Sequence, residues 1–243
     1  MQSTKTEVKP YSKDGSKREQ VEKMFDSISH KYDFLNHFLS LGVDHIWRLK
    51  AVARLKDIQP KRILDVASGT ADLAIAALKL NPDEVIGIDL SENMLQVGRT
   101  KLDKKGIKNI TLMQGDSENL PFKDNEFDAI TVGFGVRNYE NLEKGLLEMK
   151  RVLRPGGKLV VLEFSKPSAF PIKQMFTFYS KYILPLWGKI FSGSQEAYVY
   201  LPESVKHFPE GQNFIDILEQ CAYNKTSFSR LTFGITTVYE GTK

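Results

Sequence analysis

Apolar residues along the first part of the chain fall at Val21, Met24, Phe25, Ile28, Tyr32, Leu35 and Leu39, mostly in steps of three and four. That spacing puts them on one helical stripe and predicts an N-terminal helical section ending near Gly42. A further helix is predicted from about Asp44 to Lys56, before Pro60. The period then changes. Arg62 to Ala67 reads as a short apolar strand, and Ser68-Gly69-Thr70 as a small-residue turn. A helix from Ala71 to Leu80 follows, stopped by Asn81-Pro82. Glu84 to Asp89 is a second strand. Ser91 is a good N-cap for the next helix, and Lys104-Lys105-Gly106 a good end for it.

Ile110 to Met113 and Phe127 to Val132 read as the third and fourth strands. The helix after them shows Leu142, Leu146, Met149 and Leu153 on one face, and Pro155-Gly156-Gly157 is expected to end it. Lys158 to Glu163 is the fifth strand. Strands alternating with helices predict a parallel α/β sheet covered on both faces. The tail differs. Phe214, Ile217 and Leu218 mark a helix, and the runs Thr226–Leu231 and Ile235–Tyr239 could pair antiparallel through Thr232-Phe233-Gly234.

Composition narrows the classes. The 243 residues suit one domain, or one domain with an added cap. With 34 Lys+Arg against 30 Asp+Glu the net charge is +4, which argues against a dedicated nucleic-acid binder. Cys221 is the single cysteine, so neither an intrachain disulfide nor a thiolate metal cluster can form, and a reducing, cytoplasmic compartment is expected. His30, His37, His45 and His207 are scattered, so no metal site is expected. The first 18 residues are polar and read as a flexible leader, not a secretory signal.

The candidate chemistry lies where strands end. Asp65 closes the first strand, before a turn with one glycine, Gly69, so the G-x-G-x-x-G dinucleotide fingerprint is absent. Asp89 closes the second strand, 20 residues after Gly69, where a carboxylate can accept both ribose hydroxyls. That feature fits NAD or S-adenosylmethionine (SAM). Asp65 separates them: an anion beside the loop repels a pyrophosphate and attracts SAM's ammonium and sulfonium. Asp116, after the third strand, is placed to read an adenine amino group, and Met94 to pack on the adenine face. Any one of these acids alone would be read as a cap or turn residue. Three at successive strand ends point to a ligand. Gly69, Thr70, Ser117 and Gly133 complete the expected cofactor set.

These residues resemble a class I SAM-dependent methyltransferase. The run Arg151-Val-Leu-Arg-Pro-Gly-Gly-Lys-Leu-Val-Val-Leu-Glu-Phe-Ser165 resembles the ubiquinone/menaquinone biosynthesis C-methyltransferase family. So do Tyr32-Asp-Phe-Leu-Asn36 with Ser40 and Trp47, Phe134-Gly-Val-Arg-Asn138, Tyr200-Leu201 with Glu203-Ser204, and the ending Leu231-Thr232 through Gly241 and Lys243. The resemblance covers about residues 18–243. There are departures: Asp44 stands where the family often has His, with His45 next; Ser68 and Ala71 replace common glycines; Gly133 stands where a serine is frequent.

The resemblance implies a Rossmann-like, mostly parallel seven-stranded sheet with an antiparallel C-terminal strand, helices on both faces and an N-terminal helical cap. It implies one methyltransferase domain over 19–243, with the cap at 19–58 and an aromatic lid insertion at about 166–210. The implied reaction is methyl transfer from SAM to a ring carbon of a polyprenylated quinol. Demethylmenaquinol is the expected substrate, with a ubiquinone precursor, or both, as the alternative; a non-catalytic quinone-binding scaffold is the rival from another class. Arg137 is then expected to stabilise a developing phenolate, and Asn138 to bind the same oxygen or a bridging water. His207 and Tyr139 are candidate bases. Asp33 and Asn36 are expected to close over the cofactor. The stretch Phe170–Phe191 holds seven of the 26 aromatics, broken by Lys173, Lys181 and Lys189. It reads as a cover helix or a quinone lid facing a membrane surface. No nucleic-acid partner is expected, and the oligomeric state stays open, a homodimer included.

Overall fold

The computed structural model describes residues 8–11, 15–183 and 195–243. Seven strands form one sheet in the order β3-β2-β1-β4-β5-β7-β6. They are β1 (Arg62–Val66), β2 (Glu84–Asp89), β3 (Ile110–Gln114), β4 (Phe127–Gly133), β5 (Leu153–Phe164), β6 (Asn224–Leu231) and β7 (Thr236–Thr242). Only β7 runs against the others, paired antiparallel to both β5 and β6. The Thr232–Gly234 turn joins β6 to β7 as the sequence predicted.

Alternate residues of each strand enter opposite layers, as a period of two demands. Leu64, Val66, Ile130, Val132, Leu159 and Val161 pack under α5 (Leu142–Val152) and a late helix. Ile63, Val85, Ala129, Val160 and Leu162 pack under α2 (Val43–Ala53), α3 (Asp72–Ala77) and α4 (Glu92–Lys105). Ser91 caps α4 by accepting from the Met94 N–H, and Gly106 ends it at φ 64°. Asn81, at φ 51°, closes the turn after α3.

The chain departs from the sequence reading at β5. The Pro155-Gly156-Gly157 stretch does not lie between helix and strand: α5 stops at Val152, and Leu153 already pairs with Phe127. The Gly156 N–H donates to the Lys243 carbonyl at 3.0 Å, and a Cβ on Gly157 would come within 2.8 Å of the Asp128 carbonyl. The breaker residues therefore form an irregularity inside β5, between the pairs Leu153–Phe127 and Lys158–Ala129, where the register shifts.

Outside the two main layers sits a cover. Helix α1 (Lys17–Leu39) starts inside the stretch expected to be a leader. Its Val21, Met24 and Ile28 pack with Ala197 and Tyr200 of α7 (Gln195–His207). Between β5 and α7 run the short α6 (Ile172–Phe178) and a wide turn over Tyr179–Ile183. The expected aromatic lid extends through residues 184–194, which lie outside the described residues. After α7 comes α8 (Gln212–Gln220), whose Phe214 and Leu218 join the layer under α5. Among the described residues, no helix is long and apolar enough to cross a membrane.

Gly145 of α5 meets the turn after β4: a Cβ there would lie 2.6 Å from the Tyr139 ring. Alanine gains about 1 kcal/mol of helix propensity over glycine, but overpacking against a buried ring costs about 1–3 kcal/mol. Gly145→Ala is expected to lower the urea midpoint. A raised midpoint would show that the ring yields freely.

Candidate active site

The C-terminal ends of β1, β2, β3 and β4 open into a cleft of about 730 Å³, its mouth included. Its floor is the turn after β1. Ala67, Gly69 and Ala71 all take positive φ there, at 55°, 52° and 70°. Only glycine adopts that region without cost, so Ala71, where glycine is common in the family it resembles, carries local strain.

Asp89 ties this floor to the next loop. One carboxylate oxygen accepts the Gly69 N–H at 2.8 Å and the other the Ser91 N–H at 2.9 Å. Burial nevertheless pushes its pKa up to about 6, against those hydrogen bonds. Met94 lines the wall beside it, and a Cβ on Gly69 would touch the Met94 methyl at 3.2 Å. Asp116, Ser117 and Gly133 also line the cleft, so six of the eight expected cofactor residues meet there: Gly69, Asp89, Met94, Asp116, Ser117 and Gly133.

Asp65 and Thr70 stand off the lining. Asp65 is fully buried behind the turn; one oxygen accepts from Thr131 Oγ1 at 2.6 Å, and the other has no hydrogen-bond partner. Burial raises its pKa to about 7. The Thr70 hydroxyl instead donates to Asp33 of α1. Asp33 also pairs with Lys101, which holds Asp72 at 2.6 Å. Asp33 thus fastens α1 to the turn, and Asn36 hydrogen-bonds Tyr32. Asp44, in the expected histidine's place, accepts from Ser40 and Arg48 and sits 2.7 Å from His37. Those donors outweigh burial and hold its pKa down at about 2. His37, Asp44 and Asp72 lie close together, but Arg48 and Lys101 already neutralise the acids.

Arg137 differs from its expected role. Its guanidinium is buried off the cleft and gives a 2.7 Å ion pair to the fully buried Glu163, a second contact to the Phe134 carbonyl and a third to Ser204 Oγ. A cation so committed shapes the turn that carries the wall rather than lying open to a phenolate. Asn138 does line the cleft. His207 is exposed, with Nδ1 2.8 Å from the Glu203 carbonyl of its own helix, far from a base's position. Tyr139 lines the cleft, but burial drives its pKa further above the ordinary value, which makes it a poor base.

Sequence reasoning gave no site role to Arg18, Val21, Phe25 or Tyr32, which α1 adds to the wall. Their helical stripe was legible, but read only as core. Arg18 pairs with Asp116 at 2.9 Å, and Lys17 Nζ donates to the carbonyls of Arg137 and Tyr139. Asp26 accepts from Ser91 Oγ at 2.5 Å. The cover is thus bonded to the loops after β1, β2, β3 and β4.

The site acids carry a pH signature. A carboxylate whose folded pKa is raised adds stability below its unfolded value, and loses it as pH rises through the folded value. For Asp65 that window runs from about pH 4 to about pH 7. Wild-type stability relative to Asp65→Asn is expected to fall across it by on the order of 2–4 kcal/mol, read by urea unfolding. A pH-independent difference would mean that Asp65 ionises as freely as in water.

Known proteins fit this geometry. Residues 13–243 match the ubiE/COQ5 methyltransferase family. The chain is 52% identical to the demethylmenaquinone methyltransferase of Bacteroides fragilis over 97% of each chain. It is 41% identical to the ubiquinone/menaquinone biosynthesis C-methyltransferase of Geobacter sulfurreducens, over 93% of this chain and 90% of that one. A SAM-dependent methyltransferase from Thermotoga maritima shares the fold with a TM-score of 0.64 at 20% identity, over 91% of this chain and 99% of that one. The donor set suits SAM: an unpartnered buried carboxylate oxygen behind the turn, a strand-end acid at Asp89 and a thioether wall at Met94 are matched to a cation bearing a ribose and a base. The chain belongs to the ubiE/COQ5 methyltransferase family and is a SAM-dependent methyltransferase of the class I, Rossmann-like fold.

Proposed function

We propose that the chain transfers the methyl group of SAM to a ring carbon of demethylmenaquinol, which loses its proton, giving menaquinol, S-adenosylhomocysteine and a proton. The observation that carries this reading is the match to the Bacteroides fragilis enzyme along nearly the whole chain. The cleft supports it: Phe25, Tyr32 and Phe134 set aromatic surface beside the acids, as a flat ring substrate requires. The whole of 19–243 then serves as one methyltransferase domain.

Bound SAM supplies an electrophilic methyl on a sulfonium. Asp89 is assigned to the ribose hydroxyls, Met94 to the adenine face, and Asp116 and Ser117 to its edge. Gly69, Thr70 and Gly133 keep the loops close to the cofactor, and Asp65 adds negative charge behind them. Asn138 donates to the substrate oxygen, which strengthens as the ring carbon becomes a nucleophile. Arg137 acts from behind the wall, holding the turn that presents Asn138. Alignment of nucleophile and methyl then supplies much of the rate.

Labelled SAM with short-chain demethylmenaquinol and demethoxy-ubiquinol, under reducing conditions, tests the reading. Ring methylation of the naphthoquinol is expected. Label only in the benzoquinol would move the substrate to the ubiquinone branch, and no ring-methylated product from either would refute quinol methylation.

A prenylated substrate resides in a bilayer, and α6 offers a surface for meeting it. Phe170 is 81% exposed, and Met175, Phe178 and Tyr182 are exposed beside Lys173 and Lys181. From Phe164 to Gln195 the chain holds four lysines and no acid. The proposed contact is transient and at the cytoplasmic face, with lysines at headgroup level. Lys173→Glu with Lys181→Glu is expected to reduce co-sedimentation with anionic liposomes several-fold. Unchanged binding would remove α6 from the membrane contact.

A further inference from the structure

Two side chains of α7 reach the turn that carries Arg137 and Asn138. Tyr200 and Ser204 are both buried and stand one helical turn apart, so they share a face. The Tyr200 hydroxyl donates to Asn138 Oδ1 at 3.1 Å. The Ser204 hydroxyl donates to the Leu201 carbonyl at 2.9 Å, which leaves its lone pairs for Arg137 Nε at 3.3 Å. On the other side Glu163 holds Arg137 Nη1, and the Phe164 ring lies 5.5 Å from the guanidinium carbon.

These bonds decide which way the amide points. Asn138 Nδ2 faces the Phe134 carbonyl, although at 3.5 Å. A carbonyl oxygen only accepts, so that end of the amide must be the nitrogen, and the end toward Tyr200 must be the oxygen. The second N–H of Nδ2 has no partner among the described residues, and Asn138 lines the cleft. The Tyr200 ring packs with Val21, Met24 and Ile28 of α1, so its hydroxyl joins the cover to the turn. A buried ion pair such as Arg137–Glu163 is weak evidence of added stability; fixing geometry is the better account of this cluster.

We propose that Tyr200 and Ser204 are positioning residues for methyl transfer. Tyr200 acts through Asn138, turning its remaining N–H toward the substrate, and Ser204 acts through Arg137, seating the guanidinium against Glu163. The proposal rests on the quinol-methylation reading above.

Tyr200→Phe keeps the ring and removes only the donor. Its melting temperature and SAM affinity should match wild type, while kcat on demethylmenaquinol falls about tenfold. In an Asn138→Ala background the same change should cost nothing more, because the partner is already gone. Ser204→Ala should lower kcat in the same way, and Ser204→Thr, which keeps the hydroxyl, should restore it. Without substrate, the Asn138 side-chain NH₂ signal, assigned by its loss in Asn138→Ala, should shift in Tyr200→Phe. Wild-type kcat in Tyr200→Phe, an additive loss in the double variant, or an unmoved amide signal would each overturn the proposal. A wild-type enzyme that methylates no quinol sinks the substrate reading instead, and the amide signal then decides whether Tyr200 orients Asn138.

Discussion

A carboxylate drawn out of water keeps its charge only where donors replace the lost solvation. At the end of β2 two backbone N–H groups do so, from Gly69 and Ser91. One belongs to the turn after β1 and the other to the cap of α4. Asp89 therefore sets the distance between the two loops that form the cleft floor. Its neighbours depend on that spacing: Met94 follows from the Ser91 cap, and the positive-φ turn is held against the carboxylate rather than left to relax. The floor of the cleft is thus built around an anion.

Burial leaves Asp65 and Asp89 poorly solvated, with raised pKa values of about 7 and about 6. A cation entering the cleft favours the ionised form of both. Cofactor binding and proton release are thereby linked, and affinity for a cationic ligand should strengthen as pH rises through that range. Among the described residues Asp65 has one carboxylate oxygen without a hydrogen-bond partner, an arrangement that costs stability. The same feature sharpens selectivity: a pyrophosphate would add negative charge where the protein already strains to hold it.

Much of this was legible along the chain because it is local. Apolar runs bounded by turns gave the strand ends, and among the acids at those ends Asp89 and Asp116 line the cleft. Ser91 and Gly106 were readable as caps because capping acts within one turn of a helix. What escaped was long-range. Arg137 and Glu163 are 26 residues apart and meet only because β4 and β5 are neighbours in the sheet. Arg154 to Gly157 carries breaker residues, yet its Gly156 N–H and Gly157 carbonyl bond the C-terminal Lys243. The apolar stripe of α1 could not reveal that part of it faces a cleft instead of a core, since a binding wall and a core ask for the same residues.

The cover shows how a near-neutral, mildly aromatic chain closes its cleft with few charges. The charges that matter are few and placed. Acids lie at the strand ends, Arg18 and Lys17 bind α1 over them, and Arg137 is buried behind the wall. The ties between α1 and the loops are polar. Its apolar side, by contrast, is shared with α7 through Tyr200. The Tyr200 ring thus links the packing of α1 to the hydrogen bond that its hydroxyl gives Asn138 Oδ1. A cover tied to all four loops limits the access of water to the cleft.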